Sequence, residues 1–218
     1  MAGRAPSVRP AHLRSRHLRL VGMADLSELQ SQATACQRCR LAGGRNNVVF
    51  GEGDPAASLM VVGEGPGRDE DLQGRPFVGR SGRLLDRLLI EEAGFERRAV
   101  YIANVVKCRP PDNRDPLPDE IAACRPYLEG QVALVAPKVI ITLGNFASRT
   151  LLASELGITR LRGRTYPWPG GAATVVVPTF HPAAALRGGG EVLAAMRADF
   201  VRARQVLDSE AARQVEGA

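Results

Sequence analysis

The chain alternates between short apolar runs and longer segments in which apolar and polar residues mix. The runs are continuous, which is typical of strands buried on both faces of a parallel sheet. A short run at 48–50 also has the composition of a strand. Four longer runs predict the strands of the sheet, at residues 58–64, 99–106, 138–144 and 174–180.

Helical segments occupy most intervals between these strands. One begins at Ser81 as its N-cap, repeats leucines at helical spacing and ends at Gly94. Pro126 lies inside another, and we expect it to break that helix because proline lacks a backbone N–H. The other helices are predicted at 23–40, 119–136, 145–154 and 191–207, and 161–172 has the composition of a hairpin. Strands alternating with helices predict an α/β fold, with three α/β/α layers and a central, mostly parallel four-stranded sheet.

The composition fits one sizeable domain. The 218 residues are 44% apolar, and no run of about 18 apolar residues offers a membrane-spanning helix. The net charge of +6 is concentrated in residues 1–24, which hold five arginines and no acid. The rest has 24 basic and 23 acidic residues, so any nucleic-acid surface must be a local patch. We predict a disordered leader at 1–24, one domain at 25–210 and a tail at 211–218.

Four chemically useful residues follow the predicted strands. Glu64, Asn104, Gly144 and His181 lie at or just past the carboxyl ends of successive strands. Ligands of parallel α/β sheets bind at that edge. From the residues alone, Asn104 also fits a turn or cap, and His181 fits a structural role. Phe77, the one aromatic residue in the stretch from Val61 to Gly82, also fits an ordinary core position.

The first strand runs into a glycine-rich turn formed by Gly63, Gly65 and Gly67. Such turns often bind phosphate through backbone N–H groups. Here three acids, Asp69 to Asp71, follow directly, and their charge disfavours phosphate. The sequence therefore favours a neutral ligand at this turn.

The four cysteines are arranged for a site rather than for a disulfide framework. Cys36 and Cys39 form a C-x2-C pair, and Cys108 and Cys124 lie far downstream. Buried structural thiols, a structural zinc ion and an iron–sulfur cluster all remain open, because spacing alone does not separate them. A redox-active pair needs the N-terminus of a helix after a strand, which the pattern does not provide.

The motifs together resemble one known family. Four segments of the chain resemble, in their order and spacing, motifs of the family 4 uracil-DNA glycosylases. They are GEGPGRDEDLQGRPFVGRSG, NVVKCRPP, ACRPYLE and HPAAALR. The resemblance covers residues 25–207 and leaves the leader unmatched. It implies a [4Fe–4S] cluster held by Cys36, Cys39, Cys108 and Cys124.

The resemblance also implies roles for single residues. Uracil stacks on Phe77, and the Asn104 amide pairs with its O4 and N3–H groups. His181 donates a hydrogen bond to uracil O2 and stabilises the leaving anion. In the following loop, Leu186 is the wedge that enters the minor groove and Arg187 faces phosphate.

The resemblance leaves two candidates for the carboxylate that activates water. The best-known family of the superfamily has an aspartate where this chain has Gly65, and the acid here is Glu64. We expect Glu64 to position the water. Glu70 is the second choice, or the group that excludes the methyl group of thymine. Asp69 and Asp71 are expected to be solvated, and backbone N–H groups from Gly63 to Gly67 are expected to contact uracil or phosphate.

The implied function is a monofunctional uracil-DNA glycosylase that flips uracil out of DNA and starts base excision repair. Its substrate is uracil-containing DNA, single- or double-stranded. We expect a monomer without membrane association, in the cytoplasm of a bacterium at the nucleoid; clamp or repair partners are unknown. The alternatives are a non-catalytic iron–sulfur or zinc DNA-binding module that senses damage, and a nucleotide-binding protein that uses the glycine turn. Neither alternative needs Phe77, Asn104 and His181 together.

Overall fold

The computed structural model describes residues 25–171 and 173–216. The predicted leader 1–24 therefore lies outside the described residues. The architecture is a mixed α/β fold around one twisted sheet, as predicted. Among these residues, no helix is long and apolar enough to cross a membrane.

The sheet has six strands in the order β1-β3-β2-β4-β6-β5, and the prediction of four strands is wrong in number. The four predicted runs form the centre, where β3, β2, β4 and β6 pair in parallel. The two added strands have two residues each and pair antiparallel at the edges, too short to leave a periodic signal. The bounds are β1 Glu52–Gly53, β2 Leu59–Gly63, β3 Tyr101–Asn104, β4 Val139–Leu143, β5 Tyr166–Pro167 and β6 Val175–Thr179. Residues 48–50, predicted as a strand, are irregular.

Both faces of the sheet are covered, because alternate residues of each central strand point to opposite sides. The helices are α1 Leu26–Thr34, α2 Arg68–Gln73, α3 Arg80–Leu88, α4 Pro118–Val135, α5 Gly144–Leu152, α6 Ile158–Leu161, α7 Pro182–Gly188 and α8 Gly190–Glu216. Leu59 and Val61 of β2 pack in a cluster with α3 and α8. Met60 and Val62 pack in another cluster with α4 and α5. Helix, sheet and helix therefore form three layers, and the strand ends remain open at the edge.

Pro126 does not break α4, so that prediction is wrong. The helix runs through it without interruption. The interior proline costs about 3 kcal/mol relative to alanine. Beyond it, Leu128 and Val132 are about 1% exposed against the sheet. Burial of such a side chain contributes roughly 1.5–3 kcal/mol, so packing outweighs the lost hydrogen bond.

Other element ends differ from the predicted ones. α3 begins at Arg80 with Gly79 as its N-cap, two residues before Ser81, which was the predicted cap. A π-helical turn, Leu89–Ala93, continues α3 and ends at Gly94 as its C-cap. α8 extends to Glu216, past the predicted end at 207. The segment after His181, expected as a loop, is the helix α7.

Candidate active site

The carboxyl ends of β2 and β3 lie side by side, since Gly63 and Asn104 are partners in the parallel register. A cavity of about 620 Å³ opens at this edge. The residues that carry its chemistry are Glu64, Gly65, Glu70, Phe77, Asn104, Asp115, His181 and Arg187. Gly144, at the end of β4, lies behind His181: a Cβ there would be 3.2 Å from the Cβ of His181.

Gly63 leaves the space in which Asn104 and Phe77 meet. A Cβ on Gly63 would lie 2.4 Å from Oδ1 of Asn104 and 2.5 Å from Cζ of Phe77, distances that real Cβ atoms do not adopt. The side chain of Asn104 is buried, yet its Oδ1 atom has no hydrogen-bond partner among the described residues. A buried acceptor without a partner costs about 1–3 kcal/mol. This atom therefore indicates a ligand that brings a donor into the cavity.

The ring of Phe77 is held by a braced turn. Phe77 has a left-handed backbone with φ of 51°, which is uncommon for a bulky residue and strained by about 1–3 kcal/mol. Oε1 of Glu70 accepts the backbone N–H groups of Val78 and Gly79 at 3.0 and 3.2 Å. Arg97 donates to the carbonyl oxygen of Phe77 at 3.3 Å. Glu70 thus fixes the turn that carries the aromatic ring.

His181 faces the same space from β6. Its ring centroid lies 5.9 Å from that of Phe77, with 33° between the planes. Nδ1 accepts the backbone N–H of Ala183 at 3.2 Å. Burial, with a smaller contribution from the charge of Arg187, lowers the pKa of His181 to about 4. The ring is therefore neutral at pH 7 and carries its proton on Nε2, which is free to donate.

Glu64 follows Gly63 and lines the cavity. Burial raises the pKa of its carboxyl group to about 7, and the negative charge of Asp115 adds to the rise. A carboxylate with a pKa near the working pH suits a general base. Gly65 comes next, and a Cβ there would lie 2.7 Å from Cγ2 of Val106. The backbone of the turn can pass this close to Val106 only because residue 65 has no side chain.

The other two acids that follow the glycines, Asp69 and Asp71, have different environments from each other. Asp69 is exposed at the cavity rim, in agreement with the expectation. Asp71 was expected to be solvated, and this is wrong: it is 1% exposed. Its carboxylate accepts the backbone N–H groups of Asn46 and Asn47 at 2.9 and 3.3 Å. Asp71 therefore fastens the segment before β1 to α2.

All four cysteines line one small cavity between α1 and α4. None of them forms a disulfide. Burial raises the pKa of the Cys124 thiol to about 11. Burial also raises the pKa of the Cys108 thiol, and the neighbouring thiols of Cys39 and Cys36 raise it further. The described residues contain no group of three or more His, Cys, Asp or Glu side chains placed to hold a single metal ion. The fold nevertheless brings Cys36 and Cys39 to one cavity with Cys108 and Cys124, which are far from them in sequence.

Comparison with known proteins identifies the family. A model of the uracil DNA glycosylase superfamily matches residues 50–207. A type-4 uracil-DNA glycosylase of Sulfurisphaera tokodaii is 47% identical over 75% of this chain and 77% of its own length. A protein of the same name from Saccharolobus solfataricus is 42% identical over 86% of this chain and 89% of its own length. Another, from Thermotoga maritima, is 43% identical over 85% of this chain and 97% of its own length. The chain belongs to the type-4 uracil-DNA glycosylases. The predicted family is confirmed.

In this type-4 family member, Leu186 and Arg187 lie on two sides of the cavity wall. Both belong to α7. Arg187 lines the cavity itself, whereas Leu186 is 40% exposed and lines an adjoining groove. The structure therefore separates these two neighbours, one toward the pocket and one toward the surface.

Sequence reasoning missed the residues that support the site from behind. The side chain of Lys107 is fully buried, and its Nζ atom donates to the Asn104 carbonyl oxygen at 2.7 Å and to Oε1 of Gln131. Arg97 and Asp115 were also missed, although one braces the Phe77 turn and the other raises the pKa of Glu64. These contacts depend on long-range packing, and no local pattern marks them.

Proposed function

We propose that this type-4 family member is a monofunctional glycosylase that hydrolyses the bond between uracil and deoxyribose in DNA. Its product is an abasic site, the starting point of base excision repair. Family membership supports this function, because the relatives over most of the chain are named type-4 uracil-DNA glycosylases. The base must leave the stack to reach a pocket this deep.

The observation that carries the proposal is the unpartnered Oδ1 atom of Asn104 beside the ring of Phe77. Uracil offers an N3–H donor to that oxygen and an O4 acceptor to the amide nitrogen. Cytosine presents the opposite pattern and would leave both groups of the amide unpaired. A base stacked on Phe77 would thus be read as uracil by Asn104.

His181 and Glu64 would divide the chemistry. As the glycosidic bond breaks, its electron pair moves to uracil N1 and the negative charge spreads to O2. The Nε2–H group of neutral His181 would donate to O2 and stabilise this anion. Water attacks C1′ of the sugar, and the Glu64 carboxylate would accept the proton that the water loses. Glu70 would act by holding the Phe77 turn rather than by touching the water.

The four-cysteine cavity would hold the [4Fe–4S] cluster that the resemblance to family 4 implies. Such a cluster is held by four cysteine thiolates, one on each iron, and all four cysteines line this cavity. Arg45 supports this assignment, because its guanidinium lies 3.4 Å from Sγ of Cys108 and would offset thiolate charge. Cys36, Cys39, Cys108 and Cys124 would hold the cluster, whose role would be to tie α1 to α4.

Contacts to DNA would come from the rim of the cavity. Leu186 would fill the space that the flipped base leaves, and Arg187 would contact a neighbouring phosphate. One domain at 25–210, acting as a monomer on single- or double-stranded DNA, would contain every group needed.

Excision assays test the proposal. The purified chain is incubated with an oligonucleotide that carries one uracil, and alkali then cleaves the strand at any abasic site. We expect cleavage at the uracil, none in the matched thymine strand, and strong loss in His181→Ala purified in the same way, which excludes a contaminating enzyme. Binding to DNA without any cleavage would contradict the proposal and favour a non-catalytic DNA-binding module.

A further inference from the structure

Among the described residues, some exposed arginines pair with an acid and others do not. In the first group each arginine pairs with an acid, as Arg125 does with Glu129 and Arg204 with Asp208. The second group includes three arginines of α3 whose side chains make no hydrogen bond or ion pair with any residue in 25–171 and 173–216. These three, which we call the arginine row, are Arg80, Arg83 and Arg87.

The arginine row follows one face of α3, because residues three and four apart are neighbours on a helix surface. With a rise of 1.5 Å per residue, its ends lie about 10 Å apart along the axis. Asp86 is the acid within this stretch, and it pairs with Arg97 at 2.8 Å. The positive charge of the row is therefore not offset by its own helix.

The position of the row relates it to the active-site cavity. Arg80 lines that cavity, and all three arginines line the adjoining groove with Leu84 and Leu186. The row thus begins at the rim of the pocket and continues past the exposed side chain of Leu186. An uncompensated row of guanidinium groups at this place fits a chain of phosphates, which guanidinium binds well.

We infer that the arginine row binds consecutive phosphates of the DNA strand that carries the uracil. The inference rests on the proposed function, since it assumes that a flipped nucleotide enters the cavity. Such a nucleotide leaves its own phosphates at the rim, where Arg80 lies. One strand of duplex DNA places a phosphate every 3.4 Å along its axis, so about 10 Å corresponds to about three phosphates.

This assignment makes a distinct prediction about strandedness. A row that follows the uracil strand contributes to the binding of both single-stranded and duplex DNA. A row that contacts the complementary strand contributes to duplex DNA alone.

The test compares two double variants that each remove two positive charges. Arg83→Gln with Arg87→Gln removes two members of the row and leaves Arg80 at the cavity. Arg125→Gln with Arg204→Gln is the matched control, because both of its arginines pair with an acid four residues on. The probe is an oligonucleotide with a tetrahydrofuran abasic analogue, as a single strand and as a duplex. Dissociation constants are measured between about 50 and 200 mM salt.

We expect the row variant to reduce the slope of log affinity against log salt by about 1.8 on the duplex and about 1.4 on the single strand. The control variant keeps the slope of the unaltered chain on both probes. Thermal unfolding is recorded for both variants, so that loss of fold is not mistaken for loss of contact.

Three results would overturn the inference: unchanged slopes in the row variant, equal reductions in both double variants, or a reduction confined to the duplex. Uracil excision by the unaltered chain is measured on the same strands. Its absence would contradict the proposed function, whereas unchanged slopes with normal excision would contradict only the arginine row.

Discussion

Nδ1 of His181 accepts the backbone N–H of Ala183 at 3.2 Å. This contact places the proton of the neutral ring on Nε2, and burial keeps the ring neutral by lowering the pKa of His181 to about 4. A neutral donor suits a leaving group whose negative charge grows only as the bond breaks, since it spends little binding energy on the ground state.

Replacing His181 by alanine should slow the chemical step. Loss of one preorganised donor to a developing anion costs on the order of 10²–10³ in rate. Single-turnover excision on a saturating U·G duplex measures the step, and the affinity for a non-cleavable duplex is measured separately. We expect the rate to fall by that amount while affinity changes little. A normal rate with weakened affinity would make His181 a structural residue.

The rate of excision should depend on the protonation of Glu64. Only the carboxylate can accept a proton from water, and burial raises the pKa of Glu64 to about 7. The single-turnover rate is therefore expected to rise about tenfold per pH unit below that pKa and to level off above it. His181 stays neutral over this pH range, so its titration adds no second slope to the pH–rate profile. Glu64→Gln should lower the rate and remove the pH dependence.

Asp115→Asn provides a sharper form of the same test. The negative charge of Asp115 is the second cause of the raised pKa of Glu64. Without that charge the carboxyl group ionises more easily, so the midpoint of the rate profile should move to lower pH. A midpoint that stays in place would show that another group controls the profile.

Gly63→Ala should block the pocket without unfolding the chain. The added methyl group would lie 2.4 Å from Oδ1 of Asn104 and 2.5 Å from Cζ of Phe77. Displacement of about 1 Å near reacting groups can cost about 10² in rate, and we expect at least that loss in uracil excision. Gly43→Ala is the matched control, because its methyl group would meet no atom within 4 Å. Equal activity of the two variants would contradict the proposed pocket.

The four-cysteine cavity predicts the metal content. Chain purified under mild conditions should absorb broadly in the visible range and contain iron and acid-labile sulfide. Cys108→Ser should lower the metal content and the unfolding temperature, because Cys108 is the buried member of the set. A colourless protein with one zinc ion per chain would contradict the cluster and leave the four-cysteine site intact.

The positions of the strand ends, and of the residues at them, were predictable from the sequence, because a buried strand ends where its continuous apolar run ends. Asn104 is the last residue of β3 and His181 comes two residues after the end of β6, and the parallel arrangement then brings them to one edge. The environment of each residue was not predictable. Asp71, expected in solvent, is buried because two backbone N–H groups from a distant segment satisfy its carboxylate.

Pro126 and Lys107 show the same limit in the core. The local cost of a proline predicts a broken helix, but the apolar contacts that outweigh it come from the sheet. Lysine side chains are mostly exposed in proteins, yet the Nζ atom of Lys107 lies fully buried against the Asn104 carbonyl oxygen. In both cases the deciding contacts come from residues far apart in sequence, namely the sheet for Pro126 and Gln131 for Lys107.

Whether Asn104 reads uracil is tested most directly by the ratio of single-turnover excision from uracil and cytosine strands. The unaltered chain should strongly prefer uracil. Asn104→Asp replaces the amide donor by an acceptor. It should raise the free-energy barrier to uracil excision by about 1–3 kcal/mol, the cost of a buried polar group left unpaired. We therefore expect slower uracil excision and a narrower ratio between the two bases. An unchanged ratio in Asn104→Asp would contradict the assignment of Asn104 as the residue that recognises uracil.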